Sequence, residues 1–196
     1  SEQLITQAGD PHFANVVSLL HFNNDNITDE KSKTWTTVGS PICTTNLSKK
    51  ALYLNGSNSA IYATIDLSGT QDLTIEFFMS LVNGGHGSVW SRLVHIGQGN
   101  DTGAFNIVCA ANENPTRLLT SVWTPSEIGS FTDSTLANNT IHHVAAVRTS
   151  GDTWKTYVNG VEESGFTSSQ NLSKTRFSIG YNGNNNEYAH AYIYSL

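Results

Sequence analysis

Leu73-Thr-Ile-Glu-Phe-Phe-Met-Ser-Leu81 is the stretch on which the fold turns. Leu73, Ile75, Phe77, Met79 and Leu81 occupy every second position, with Thr74, Glu76 and Ser80 between them. Side chains of a strand alternate between its two faces, so this period of two predicts a half-buried antiparallel strand. Phe78 stands on the polar face, which predicts an edge position, a covering loop or a binding surface there. Outward from this stretch, similar runs recur at residues 16–22, 51–54, 60–65, 92–96, 104–110, 116–124, 141–148, 153–158, 176–179 and 188–196. In 104–110 the inward set is Phe105, Ile107 and Cys109, which predicts a buried Cys109. No segment keeps an apolar stripe of helical period over ten positions, so the chain reads as all-β.

Asn159-Gly160, between residues 153–158 and a short run at 161–164, is the strongest turn signal. A two-residue Asn-Gly loop accepts positive φ at both positions and supplies the twist of a tight hairpin. Ten or eleven strands without helices must close their greasy faces on one another, which predicts a two-sheet antiparallel sandwich. No fixed-period repeat argues for a propeller or solenoid. Residues 1–15 are polar, contain Asp10-Pro11 and read as an arm or linker; residues 16–196 read as one sandwich domain. The strand at 188–196 runs to the last residue, which predicts that a further segment or another chain completes that edge.

Composition narrows the function. Of 196 residues, 13% are charged and 38% hydrophobic, while 20 Asn, 22 Ser and 22 Thr make up most of the remainder. A helical bundle or coiled coil would instead be rich in Glu, Lys, Ala and Leu. A net charge of -6 with only 10 Lys and Arg argues against a nucleic-acid partner, because phosphate contacts need cations. No run approaches the length of a membrane-spanning helix. The N-terminal residues lack the basic start and apolar run of a secretory signal. Cys43 and Cys109, the only cysteines, cannot make a disulfide framework or a metal site, and buried thiols are expected.

Catalytic patterns are missing from the strands. Glycoside hydrolysis needs two carboxylates on one face at a set separation. Glu76 is the sole acid of its strand, and the adjacent Glu162 and Glu163 point to opposite faces. His142 and His143 likewise diverge, so they cannot chelate one metal together. Asp25-Asn-Ile-Thr-Asp29 and Asn100-Asp101 carry the hard oxygens calcium takes, making Asp25, Asp29 and Asp101 the calcium candidates. Such loops equally fit turns, where Asn and Asp are favoured. Six N-x-Ser/Thr sites occur, about what chance gives at this Asn, Ser and Thr content, so they carry no argument.

Aromatic rings pack on the apolar face of a sugar while amides bond its hydroxyls. Two loops have this chemistry: Asn83-Gly-Gly-His-Gly-Ser-Val-Trp90 and Tyr181-Asn-Gly-Asn-Asn-Asn-Glu-Tyr188. His86, Trp90, Tyr181, Asn182, Asn184 and Tyr188 are therefore the ligand-binding candidates. Trp35, Trp123 and Trp154 read as core residues.

Several segments in order resemble a laminin-G-like domain of the concanavalin A-like jelly-roll superfamily. They are Val17-Ser-Leu-Leu-His-Phe22, Lys33-Thr-Trp-Thr36, Lys50-Ala-Leu-Tyr-Leu-Asn-Gly56 and Asp72-Leu-Thr-Ile-Glu-Phe-Phe78. The series continues with Ile141-His-His-Val-Ala-Ala-Val-Arg148, Tyr157-Val-Asn-Gly160, Phe177-Ser-Ile-Gly180 and Ala191-Tyr-Ile193. Ile141 departs from the family, which often carries Trp before the two His. The opening at residues 17–22, its Asn/Asp loop and the Lys33–Thr36 motif are similar to domains of bacteriophage tail fibres, tail tips and capsid decorations. The resemblance implies a jelly-roll sandwich without catalysis, acting as a virion module for adhesion to a host-surface glycan or protein. It further implies neighbouring virion proteins as partners, a homo-oligomer by virion symmetry, and assembly in the host cytoplasm. A capsid or tail decoration protein and an endoglycanase of the same fold are the alternatives.

Overall fold

The computed structural model describes residues 12–22, 26–68, 72–86, 90–110, 116–149, 152–184 and 187–196. Among them, strands build two sheets in which every ladder is antiparallel. The nine-stranded sheet runs β14 (Val161–Thr167), β13 (Thr153–Val158), β12 (His142–Thr149), β7 (Leu73–His86), β16 (Ala189–Ser195), β1 (Leu20–His21) and β2 (Thr28–Asp29). β5 (Lys49–Asn55) also pairs with β16, and β4 (Ile42–Asn46) pairs with β5. The seven-stranded sheet runs β11 (Glu127–Phe131), β10 (Leu118–Trp123), β9 (Phe105–Ala110), β8 (Trp90–Ile96), β15 (Arg176–Ile179), β6 (Ala60–Thr64) and β3 (Thr36–Val38). Sequential hairpins, such as β8–β9–β10–β11 and β12–β13–β14, alternate with pairings of distant segments, such as β7 with β16 and β8 with β15, and the result is a jelly-roll sandwich.

The alternation of β7 sets the layers. Ile75, Phe77, Met79 and Leu81 are buried in the shared core. Phe105, Ile107 and Cys109 of β9 meet them from the other sheet. Trp154 is fully buried and stacks on Phe105, with ring centroids 4.8 Å apart. Trp35 is only partly buried against the core, with its indole N–H 2.8 Å from Asp29 Oδ2. The hairpin at Asn159-Gly160 forms as read, with φ of 52° and 81° between β13 and β14.

Several expectations need correction. Residues 16–22 form a strand only at Leu20–His21; Leu20 bonds the backbone of Leu196, where the neighbouring strand runs out. β2, β3, β4 and β11 were not expected, because short edge strands need no apolar alternation; Ile42 of β4 is itself exposed. Ser80, read as solvent-facing, is fully buried. The Asn83–Gly85 segment, read as loop, continues β7 through three positive-φ residues to His86, which pairs with Ala189. Gly85 is required there, since a Cβ would come within 2.7 Å of Cys109 Sγ.

Neither Cys43 nor Cys109 forms a disulfide. Cys109 is fully buried, and burial pushes its thiol up to about 12. Cys43, on β4, is only partly buried, because an edge strand shields one side alone. Most of the arm lies outside the described residues. From His12 onward it packs on the domain: Phe13–Asn15 is a 3-10 turn, and Lys31 Nζ bonds the Phe13 carbonyl at 3.0 Å. No helix among the described residues is long and apolar enough to cross a membrane.

Candidate functional site

The outer face of the seven-stranded sheet carries polar side chains where a solvated face would be expected. Register aligns Ser178 of β15, His95 of β8, Asn106 of β9 and Ser121 of β10 in one row. All four are 0% exposed. His95 Nδ1 lies 2.6 Å from Asn106 Oδ1, Asn106 Nδ2 donates to Ser121 Oγ at 3.3 Å, and Ser121 donates to Glu127 at 2.6 Å. Burial drives the His95 ring down to about 4, against the opposing Asn106 bond and with help from the Arg92 charge. The ring is therefore neutral at pH 7, donating from Nδ1 and leaving Nε2 as an acceptor without a partner among the described residues.

Two loops cover this row. Gly97 N–H donates to Arg176 O at 2.8 Å, and Gly99 N–H to Asn182 O at 2.9 Å. Gly97 has φ +131°, and a Cβ on it would sit 2.9 Å from the Ala104 Cβ and 3.3 Å from His95 Nε2, so glycine lets the loop close. Arg92, also on β8, is 3% exposed and anchors the second loop. Its Nε lies 3.0 Å from Glu187 Oε2, and its Nη2 donates to Asn100 at 3.3 Å. Asn182 Nδ2 reaches the same Glu187 oxygen at 2.5 Å. One carboxylate thus ties both ends of the 181–188 loop to the sheet and pairs with a buried cation.

An aromatic group flanks these bonds. The Arg176 guanidinium sits 3.7 Å over the Tyr62 ring and 5.4 Å from the Tyr181 ring, and donates to the Tyr181 hydroxyl. Tyr181 and Tyr188 stack with centroids 5.4 Å apart and planes 12° from parallel.

The structure brings the two candidate loops together. Arg92, two residues after Trp90 on β8, is bridged to Tyr188, and His86 is paired with Ala189. Tyr181 and Asn182 are buried and act as support; burial also raises the Tyr181 hydroxyl. Asn184 is exposed, with its N–H bonded to Asn182 Oδ1 at 3.2 Å. Trp90, Tyr188 and His86 are half-buried, and burial lowers the His86 imidazole. Arg92, Arg176, Tyr62, His95 and Asn106 were missed from sequence. A polar residue inside an otherwise apolar run, as in Phe105-Asn-Ile-Val or Leu93-Val-His-Ile96, was the available signal.

Two of the three calcium candidates, Asp29 and Asp101, are otherwise engaged. Asp29 accepts from Ser18 Oγ at 2.5 Å, Trp35 Nε1 at 2.8 Å and Lys31 N at 2.8 Å. Burial opposes ionisation of this carboxyl, yet those bonds together hold it below the usual range. Asp101 lies 3.7 Å from Lys174 Nζ. Asp25 falls outside the described residues. Among the described residues no group of three or more His, Cys, Asp or Glu converges on one centre. His142 and His143 diverge as read: His142 Nε2 lies 3.1 Å from Ala137 O, while His143 Nε2 faces Glu76 at 3.3 Å.

The family described as the concanavalin A-like lectin/glucanases superfamily (Laminin_G_3) matches residues 44–196. Among curated proteins none matches the chain by sequence. The binding domain of Paraclostridial Mosquitocidal Protein 1 superposes with a TM-score of 0.72 at 16% identity, covering 92% of this chain and 47% of that one. Domain 4 of AbnA, a GH43 extracellular arabinanase of Geobacillus stearothermophilus, solved with arabinotriose, gives 0.68 at 17%, covering 91% of each chain. A botulinum neurotoxin type C structure, described as entering cells through two ganglioside molecules, gives 0.68 at 12%, covering 92% and 46%. The chain thus spans about half the length of the toxin domains it resembles and nearly all of the arabinanase domain. At these identities the likeness is one of fold.

Proposed function

The chain belongs to the concanavalin A-like lectin/glucanases superfamily, and on that premise we propose that it is a non-enzymatic glycan-binding module. The observation that carries the reading is the Arg176–Tyr181–Tyr188 stack held beside the buried Arg92–Glu187–Asn182 group. Trp90 and Tyr188, both half-buried rings, suit the apolar side of a sugar, and the exposed Asn184 amide suits its hydroxyls. Loops already fastened by Glu187 lose little freedom on binding, which favours affinity. The arabinotriose held by the arabinanase domain and the gangliosides named for the neurotoxin support glycans as the ligand class.

In this reading the module sits on a bacteriophage virion, joined to neighbouring virion proteins through residues 1–15 and repeated as a homo-oligomer by particle symmetry, for adhesion to the host surface. The opening at residues 17–22, its Asn/Asp loop and the Lys33–Thr36 motif, similar to those of phage virion domains, support that setting. Screening the soluble chain on a glycan array, with a reducing-end assay in parallel, tests the function. Binding without release of reducing ends is expected, weakened at least tenfold by Tyr188→Ala or Trp90→Ala. An empty array, or liberated reducing ends, overturns it. Antibody against the domain is expected to decorate purified particles in negative stain, and particles lacking residues 1–14 of this chain are expected to lose it. Undecorated particles contradict the virion setting.

A further inference from the structure

Phe78 is 45% exposed and remains unexplained by the loop-covered site. Of the three readings its sequence position allowed, two fall away. It is not at an edge, because β7 lies between β12 and β16. No loop among the described residues shields it. A binding surface is what remains, and the neighbouring side chains have the matching chemistry. Register sets Tyr53 of β5 opposite Tyr192 of β16, Tyr192 opposite Ser80 of β7, and Phe78 opposite His143 of β12. The Tyr53 and Tyr192 rings are 4.8 Å apart, and the Phe78 and His143 rings 4.7 Å apart. Ser80, between these pairs, is fully buried. The band crosses three strand spacings, about 14 Å.

Polar groups stand at the ring margins. Tyr53 OH lies 3.1 Å from His190 Nε2, and His143 Nε2 lies 3.3 Å from Glu76 Oε2. We propose that this outer face of the nine-stranded sheet is a second carbohydrate surface, a platform for an extended neutral polysaccharide. The proposal takes its ligand class from the glycan reading above but concerns separate residues. A polysaccharide chain offers alternating apolar ring faces and hydroxyl edges, and the band offers rings bordered by hydroxyl, imidazole and carboxylate. Glu76 is the one formally charged group among the band's described residues, so an acidic polysaccharide is repelled and a neutral one is not.

Affinity electrophoresis of the full chain, through gels holding barley β-glucan, galactomannan or polygalacturonate, tests this. Retardation by a neutral polysaccharide and none by polygalacturonate is expected. Phe78→Ala combined with Tyr192→Ala is expected to weaken it at least tenfold with an unchanged circular dichroism spectrum, and Phe78→Trp alone to preserve it. Unretarded wild-type protein, equal retardation of the double variant, or stronger retardation by polygalacturonate overturns the platform. So does a dimer in sedimentation that Phe78→Ala dissolves, which assigns the face to protein contact. Unretarded protein whose array binding is lost with Tyr188→Ala would sink the platform alone and leave the loop site standing.

Discussion

The two sheets treat their outer faces in opposite ways. On the seven-stranded sheet, His95, Asn106, Ser121 and Ser178 are polar yet dry beneath their own loops. On the nine-stranded sheet, Phe78 is apolar yet wet, and Tyr53 and Tyr192 are only half covered. Burial of polar groups costs free energy unless they are bonded, so the first face depends on the His95–Asn106–Ser121–Glu127 bonds and loses stability when one of those partners is removed. Exposure of an aromatic costs little in a monomer, so the second face contributes little to folding and is available for contact. On the seven-stranded sheet the buried polar row serves stability beneath the proposed loop site, whereas the exposed rings of the nine-stranded sheet add little to stability.

Four changes would sharpen or break that contrast. Arg92→Met leaves Glu187 without its cation, and a loss of about 3–5 kcal/mol in urea unfolding is expected. Acid is next. The unfolded chain protonates His95 near 6.5, but the native ring resists until about 4. Stability from this residue is full above pH 6.5, falls as pH drops towards 4, and levels off below. The loss is at most ~3 kcal/mol. Thermal melts of His95→Gln are expected to lack that part of the acid sensitivity. Asn106→Leu removes the partner of both His95 and Ser121 and is expected to cost about 1–3 kcal/mol. Phe78→Ser, by contrast, is expected to change stability by no more than about 0.5 kcal/mol. A large loss there, or a small one at Arg92, would dissolve the distinction between the faces.

Much of the architecture was legible locally. The alternation at residues 73–81 and the Asn159-Gly160 turn each depend on side-chain direction or φ preference within a few residues, and both appear as read. Edge strands were not legible, because β4 and β11 owe their form to a neighbour rather than to their own pattern. Asn83–Gly85 misled for a related reason: of the two glycines that signal a loop, Gly85 is here demanded by Cys109 and Gly84 by His86 and Thr116. The candidate loops were found by composition, and the structure brings them together through Arg92–Tyr188 and His86–Ala189. Their support was hidden, since Arg176 and Tyr62, or His95 and Asn106, meet only once distant strands pair.

The central claim is that the loops carrying Trp90, Asn184 and Tyr188 take up a glycan and leave it intact. Titrating the 15N-labelled chain with the tightest array ligand, and following amide and indole resonances, tests it most directly. Shift changes confined to residues around 90–92 and 181–188, with an unaltered ligand spectrum, are the predicted result. Changes confined to other parts of the sandwich, or new signals of a cleaved sugar, would contradict it.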